Sequence, residues 1–150
     1  MFDARIRRVI DPALGRIASE IAKSGISANM LTLLGIPLAF GAAVAIYHQA
    51  YLAALLLIAA NRLLDGLDGM VARIKGPTAL GAYLDIVSDF IFYVTVPMAF
   101  GLAMPAHLTP ALLLTGTFTL TGVSFLAFAS VAAGAGIDES QHGPKGFLYT

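Results

Sequence analysis

Apolar side chains run through this chain in long blocks with few interruptions. Ser24 to Asn61 holds no Asp, Glu, Lys or Arg over 38 residues, and Phe90 to Ile137 holds none over 48. A helix needs about 20 apolar residues to cross a bilayer, so these blocks have the length of membrane segments. The breaks in the pattern predict four of them. The first runs from about Leu31 to Tyr47 and stops at His48-Gln49. The second starts at Tyr51 and continues past Leu64 to Lys75-Gly76-Pro77-Thr78, where Gly and Pro end a helix and Thr78 suits the N-cap of the next. The third runs from about Ala79 to Leu102. After Met104-Pro105-Ala106-His107, Thr109-Pro110 reads as an N-cap followed by proline at the first helical position. The fourth then extends to about Ala135, closed by Gly134-Ala135-Gly136. Pro37 and Pro97 fall inside helices, which membrane helices tolerate.

The first 23 residues follow a different rule. Phe2, Ile6, Val9, Ile10, Ala13, Leu14, Ile17, Ala18 and Ile21 recur at three-to-four spacing, with Arg5, Arg7, Arg8, Arg16, Glu20 and Lys23 on the other side. This pattern predicts an amphipathic helix lying in the membrane surface, with packing against protein as the alternative. Asp11-Pro12 is a possible cap and restart within it. No unbroken apolar core of signal-peptide length stands before Ser24. The fold class read from the pattern is therefore all-α: a polytopic transmembrane helical bundle in a single membrane domain over 1–150. Within it, 1–23 form the surface helix, 29–135 the transmembrane helices and 136–150 a polar tail.

Composition agrees. Of 150 residues, 58% are hydrophobic and 12% charged, about half the roughly 25% usual for soluble domains. A water-soluble domain and a disordered chain are both excluded. The absence of cysteine excludes disulfides, thiolate metal sites and a Cys nucleophile. Nine basic residues balance nine acidic ones, so nucleic acid is not an expected partner. Lys and Arg collect before the first membrane helix, at Arg73 and Lys75, and at Lys145, while the loops at His48 and His107 carry none. The positive-inside rule then puts the N-terminus, the 73–78 turn and the tail in the cytoplasm. His48 and His107 read as interfacial, His142 and Lys145 as solvated, and Tyr47, Tyr51 and Tyr149 as interface anchors.

One segment breaks the apolar pattern. Arg62 to Asp89 carries seven charges in 28 residues, including Asp65, Asp68, Asp85 and Asp89. Asp65 and Asp68 share one helix face, as do Asp85 and Asp89. Counting back from a turn near Pro77 in an antiparallel hairpin, Asp65 stands opposite residue 89 and Asp68 opposite residue 86. The four carboxylates are expected to converge in one small volume. Such a cluster needs protons or cations to neutralise it, and hard carboxylate oxygens suit Mg2+, Ca2+ or Mn2+. The plain structural alternative is an ion-pair network with Arg62 and Arg73, which falls two charges short. Gly66, Gly69, Ala72, Gly76, Gly81 and Ala82 accompany the acids. They allow either close helix packing or a flat ligand against a helix.

Read together, Asp65-x-x-Asp68-Gly69-x-x-Ala72-Arg73 and Gly81-x-x-x-Asp85-x-x-x-Asp89 resemble the signature of the CDP-alcohol phosphotransferases at all eight fixed positions. The spacer Ile74 to Leu80 is one residue shorter than is usual there. Asn29 and Thr32 resemble a further feature of that family. The resemblance implies an integral membrane enzyme that transfers a phosphatidyl-type group from a CDP-linked lipid donor, usually CDP-diacylglycerol, to a small alcohol, releasing CMP in phospholipid biosynthesis. Carried over by position, Asp65, Asp68, Asp85 and Asp89 hold Mg2+ or Mn2+, in two ions. Asp89 is also the general base, and Gly69, Ala72, Arg73 and Gly81 frame the CDP group. The acceptor is open, with serine and glycerol phosphate both suggested by short local likenesses. A homodimer in a bacterial inner membrane, with its site facing the cytoplasm, is expected. Six membrane helices are expected of the family and four are read here, so a C-terminally shortened chain is expected too. Two other functions compete with transfer: a carboxylate-lined cation or proton carrier, and an inactive four-helix scaffold.

Overall fold

The computed structural model describes residues 2–134, with side chains described at Pro12 and from Leu14 to Ala133. Among the described residues five α-helices follow one another: α1 (Phe2–Lys23), α2 (Ala28–Tyr47), α3 (Tyr51–Lys75), α4 (Ala79–Ala103) and α5 (Leu108–Gly134), with a 3-10 turn at Pro105–His107 before α5. The tail with His142, Lys145 and Tyr149, and the apolar residues of α1 before Leu14, lie outside the described side chains.

The local chemistry explains the boundaries. Ser27 caps α2 by accepting from the Met30 backbone N–H at 3.2 Å, so α2 begins three residues before the expected start. Thr78 caps α4 in the same way, accepting from Gly81 N–H at 3.0 Å. Gly76 closes α3 with φ +96°, a left-handed conformation that L side chains rarely adopt. Two expectations fail. Thr109-Pro110 is not the cap of the last helix: Pro105 opens a 3-10 turn and α5 follows from Leu108. Pro110 thus sits in the first turn, where its missing N–H has no intrahelical partner to lose. Nor does Asp11-Pro12 interrupt α1, which runs through Pro12 unbroken.

Helix α2 packs against both α3 and α4, α5 packs on α4, and α1 packs on α3. The second half of α1 spends its apolar face on protein. Ala18 is fully buried with Leu31, Leu67 and Val71, and Leu14, Ile21 and Ala22 surround them. Lys23 and Glu20 pair at 2.8 Å on its exposed side. At the other end of the bundle Ile46, Ala54 and Ala99 form a second apolar cluster, and Tyr51 stacks on Phe100. Helices α4 and α5 approach through small residues: Gly101 abuts Ala111 and Leu108, and Gly122 lies against the Phe90 ring.

Among the described residues three segments are long and apolar enough to cross a membrane by composition: α2, α4 and Pro105–Ala133. Helix α3 is of matching length but carries Arg62, Asp65, Asp68, Arg73 and Lys75. Its outward face is Leu52, Leu55, Leu56 and Leu63, all exposed. Three of the four expected membrane helices thus meet the standard of length and composition; α3 buries Asp68, half-buries Arg62 and Asp65, and exposes Arg73 and Lys75 in its last turn. Lys75 Nζ donates to Ile26 C=O at 2.8 Å. That bond brings the α1–α2 loop and the α3–α4 turn to one end of the bundle, as the loop charges predict.

Candidate active site

A buried polar layer separates the two apolar clusters. Asn61 is 2% exposed and donates Nδ2–H to the Gly35 carbonyl at 2.8 Å. Buried Ser88 faces the same glycine, since a Cβ at Gly35 would meet Asn61 Nδ2 at 3.3 Å and Ser88 Oγ at 3.7 Å. Three helices thus meet through polar groups at a point where α2 offers no side chain. Toward the Lys75 end, Thr32 Oγ1 donates to Asp68 Oδ2 at 2.6 Å, with both residues buried.

The four aspartates are differently placed. Asp68 is buried, Asp65 and Asp89 are half-buried, and Asp85 is exposed. Arg62 stands between the two pairs. Its Nη1 donates to Asp89 Oδ1 at 3.0 Å and lies 3.8 Å from Asp65 Oδ2. The shared guanidinium puts Asp65 and Asp89 at one level, as counting from the turn predicts. The charges of Asp68, Asp85 and Asp89 all act on Asp65, with Arg62 opposing them.

The expected close convergence needs correction. Helices α3 and α4 make little direct contact, because α2 packs on both and the Arg62 side chain stands between the acids. Among the described residues no three acidic or histidine side chains form a ready-made shell for one metal ion. In charge and donor type the set still fits a hard divalent cation: four carboxylates face one another's charge, and Arg62 offsets only one.

Beside the acids opens a cleft of about 330 Å3, within the range of roughly 300–1,000 Å3 typical of small-ligand sites. Asp68 and Asp85 form part of its wall, and so do Gly69, Ala72 and Gly81. Asn29, Thr32, Lys75 and Thr78 complete it on the polar side. Asp65 lines an adjoining crevice with Asn61 and Arg62. Gly81 is a place where a side chain would intrude, since a Cβ there would lie 3.0 Å from both Asn29 Oδ1 and Thr78 Oγ1. Arg73 is exposed, does not line the cleft, and has its Nη1 beside Gly69.

Comparison with known proteins bears on this arrangement. Residues 26–148 match the family model for CDP-alcohol phosphatidyltransferase. The chain belongs to the CDP-alcohol phosphatidyltransferase family. It is 42% identical over 151 aligned residues to inner membrane protein YnjF of Escherichia coli strain K12, covering 99% of this chain and 73% of that protein. It is 31% identical over 102 residues to an archaetidylinositol phosphate synthase of Pyrococcus horikoshii, covering 67% of this chain and 53% of the relative. A second archaetidylinositol phosphate synthase, from Methanothermobacter thermautotrophicus, is 38% identical over 85 residues, 56% of this chain and 40% of its own length. No solved structure matches.

Membership implies transfer of a phosphatidyl group from a CDP-alcohol to an acceptor, in a membrane setting, and the family uses divalent metals. The cleft of this family member gathers five of the eight signature residues directly, namely Asp68, Gly69, Ala72, Gly81 and Asp85. Asp65 and Asp89 do not line it; they share the Arg62 guanidinium beside it, and Arg73 also stays outside. Sequence reading assigned Arg62 only to a structural ion-pair network, gave Asn61 no role, and used Ser88 only in a short local likeness bearing on the acceptor. The signal for the first two was the dipeptide Asn61-Arg62 itself, polar at a depth where the helix is otherwise leucine and alanine.

Proposed function

We propose that this protein transfers a phosphatidyl-type group from a CDP-linked lipid donor, CDP-diacylglycerol in the first instance, to the hydroxyl of a small polar alcohol, releasing CMP. The setting is phospholipid biosynthesis in a bacterial inner membrane, with the cleft open to the cytoplasm and the protein a homodimer. The observation that carries this reading is the cleft that joins Asp68 and Asp85 to the small residues Gly69, Ala72 and Gly81.

The roles follow from the chemistry of these groups. Gly69, Ala72 and Gly81 let the nucleotide lie against the backbone, with Asn29 and Thr78 offering polar contacts at one wall. Arg73, beside Gly69, is free to turn toward a phosphate or ribose at the rim. A lipid-tailed donor keeps its acyl chains in hydrocarbon while its headgroup enters the cleft. Asp65, Asp68 and Asp85, completed by Asp89, would hold one or two Mg2+ or Mn2+ ions, whose charge neutralises the pyrophosphate and stabilises the departing CMP. Thr32 fixes the orientation of Asp68 through its 2.6 Å bond. Asp89 accepts the proton of the acceptor hydroxyl as its oxygen forms the new bond to the lipid-bearing phosphorus and the bond from that phosphorus to CMP breaks. Phosphoryl chemistry of this kind depends mainly on positioning and electrostatics, which a rigid three-helix frame supplies.

The test is product identity. Purified protein in nanodiscs is given CDP-diacylglycerol, Mg2+ or Mn2+, and a panel of acceptors: inositol phosphate, glycerol 3-phosphate, serine, inositol and choline. Inositol phosphate comes first, being the group in the archaeal relatives' names. A new phospholipid with stoichiometric CMP from one acceptor is expected. Ion flux in liposomes without nucleotide, and no lipid product from any acceptor, would replace transfer with a carrier.

A further inference from the structure

The guanidinium of Arg62 is held on three sides. One edge is gripped by its neighbour: Nε and Nη2 both donate to Asn61 Oδ1, at 2.9 and 2.7 Å. One face lies over the Phe92 ring, 4.1 Å from guanidinium carbon to ring centroid. Nη1 is the nitrogen that faces the acids, and it donates to Asp89 Oδ1 at 3.0 Å. Asn61 in turn is anchored to the Gly35 carbonyl. A guanidinium is a rigid plane with its donors in fixed directions, so gripping one edge and one face fixes where the remaining nitrogen points. A loose surface pair has none of these restraints and is worth little. Here the anchor is a 2% exposed amide whose carbonyl oxygen accepts twice from the same arginine.

Asp89 is therefore held by one oxygen. Among the described residues, Oδ1 accepts from Arg62, and the side chain keeps 31% of its surface exposed. We propose that Arg62, aimed by Asn61 and Phe92, is a positioning residue that engages Oδ1 of Asp89 and turns Oδ2 toward the acceptor hydroxyl. Neither Arg62 nor Asn61 belongs to the eight-residue signature. Lysine cannot substitute, because an ammonium offers no second edge for Asn61 to grip and no plane to lie on Phe92. The inference rests on the reading of Asp89 as the base.

The experiment compares wild type with Arg62→Lys, Arg62→Ala and Asp89→Asn, all as full chains in nanodiscs. Arg62→Ala should lower kcat roughly 100-fold, the scale of an ångström-sized misplacement of a reacting group, with KM for the CDP donor within about twofold of wild type. Arg62→Lys should stay low despite its charge. Added guanidinium should restore part of the Arg62→Ala rate and leave Asp89→Asn unchanged. A second readout needs no turnover: in a double-mutant cycle on the unfolding midpoint, Arg62→Gln and Asp89→Asn together should shift it by less than the sum of their separate shifts. Wild-type kcat in Arg62→Lys, or additive midpoint shifts, would overturn the inference while leaving Asp89 as base. Full activity in Asp89→Asn would overturn that reading, and this inference with it.

Discussion

Thr32 on α2 donates its hydroxyl to Oδ2 of Asp68 on α3 at 2.6 Å, in a setting where the residues are 6% and 4% exposed. A buried carboxylate with one fixed donor has a defined orientation, and it directs the rest of that side chain at the cleft. Replacing Thr32 by Val keeps the shape and removes the donor. Loss of a hydrogen bond to a buried charged group costs about 1.5–3 kcal/mol. Thr32→Val should lower the unfolding midpoint and weaken Mn2+ binding measured by electron paramagnetic resonance, and Thr32→Ser should recover most of both.

Gly81 tests the nucleotide wall. A methyl there meets Asn29 Oδ1 and Thr78 Oγ1 at 3.0 Å, and Thr78 Oγ1 also caps α4. Gly81→Ala should weaken CDP binding by calorimetry through displacement of these two oxygens. Thr78→Ala should cost about 1 kcal/mol of stability from the lost cap. If Gly81→Ala bound CDP as tightly as wild type, that wall would not be in contact with the nucleotide.

Gly122 tests packing away from the chemistry. Its Cα hydrogen faces the Phe90 ring, and any side chain there must displace that ring. Overpacking typically costs about 1–3 kcal/mol. Gly122→Ala should lower the unfolding midpoint with the KM for donor unchanged, and Phe90→Leu introduced alongside it should recover part of the loss.

The sequence made much of this legible because its signals were local. Charge-free blocks and a Gly-Pro turn are enough to count helices, and Thr78 caps α4 as its position before Ala79 suggests. The signature spacing marked five of the residues that line the cleft. Less was legible where the outcome depends on three bodies. Hairpin counting treated α3 and α4 as a closed pair and could not see α2 packing on both. The start of α5 was misread because Pro105 and Pro110 both fit a first turn, and the 3-10 turn decided between them. Arg62 was seen as a charge to be balanced, since its grip by Asn61 and Phe92 is a property of side-chain directions.

Asp85 is exposed while Asp68 is buried, yet both border the same cleft. Asp68→Asn and Asp85→Asn should each lower CMP release by at least about 100-fold, the scale seen when one preorganised electrostatic group is removed. Asp68→Asn should also alter stability, through its bond with Thr32, and Asp85→Asn should not. Unfolding midpoints measured beside the rates separate the two.

The central claim is that the carboxylate cleft performs metal-dependent transfer from a CDP-linked lipid. The most direct measurement is CMP release from CDP-diacylglycerol by the full chain in nanodiscs, with an acceptor panel present, before and after a chelator and again after added Mn2+. The account predicts release that stops with the chelator, returns with Mn2+ and is absent in Asp89→Asn. Release that persists in the chelator, or survives in Asp89→Asn, would contradict it.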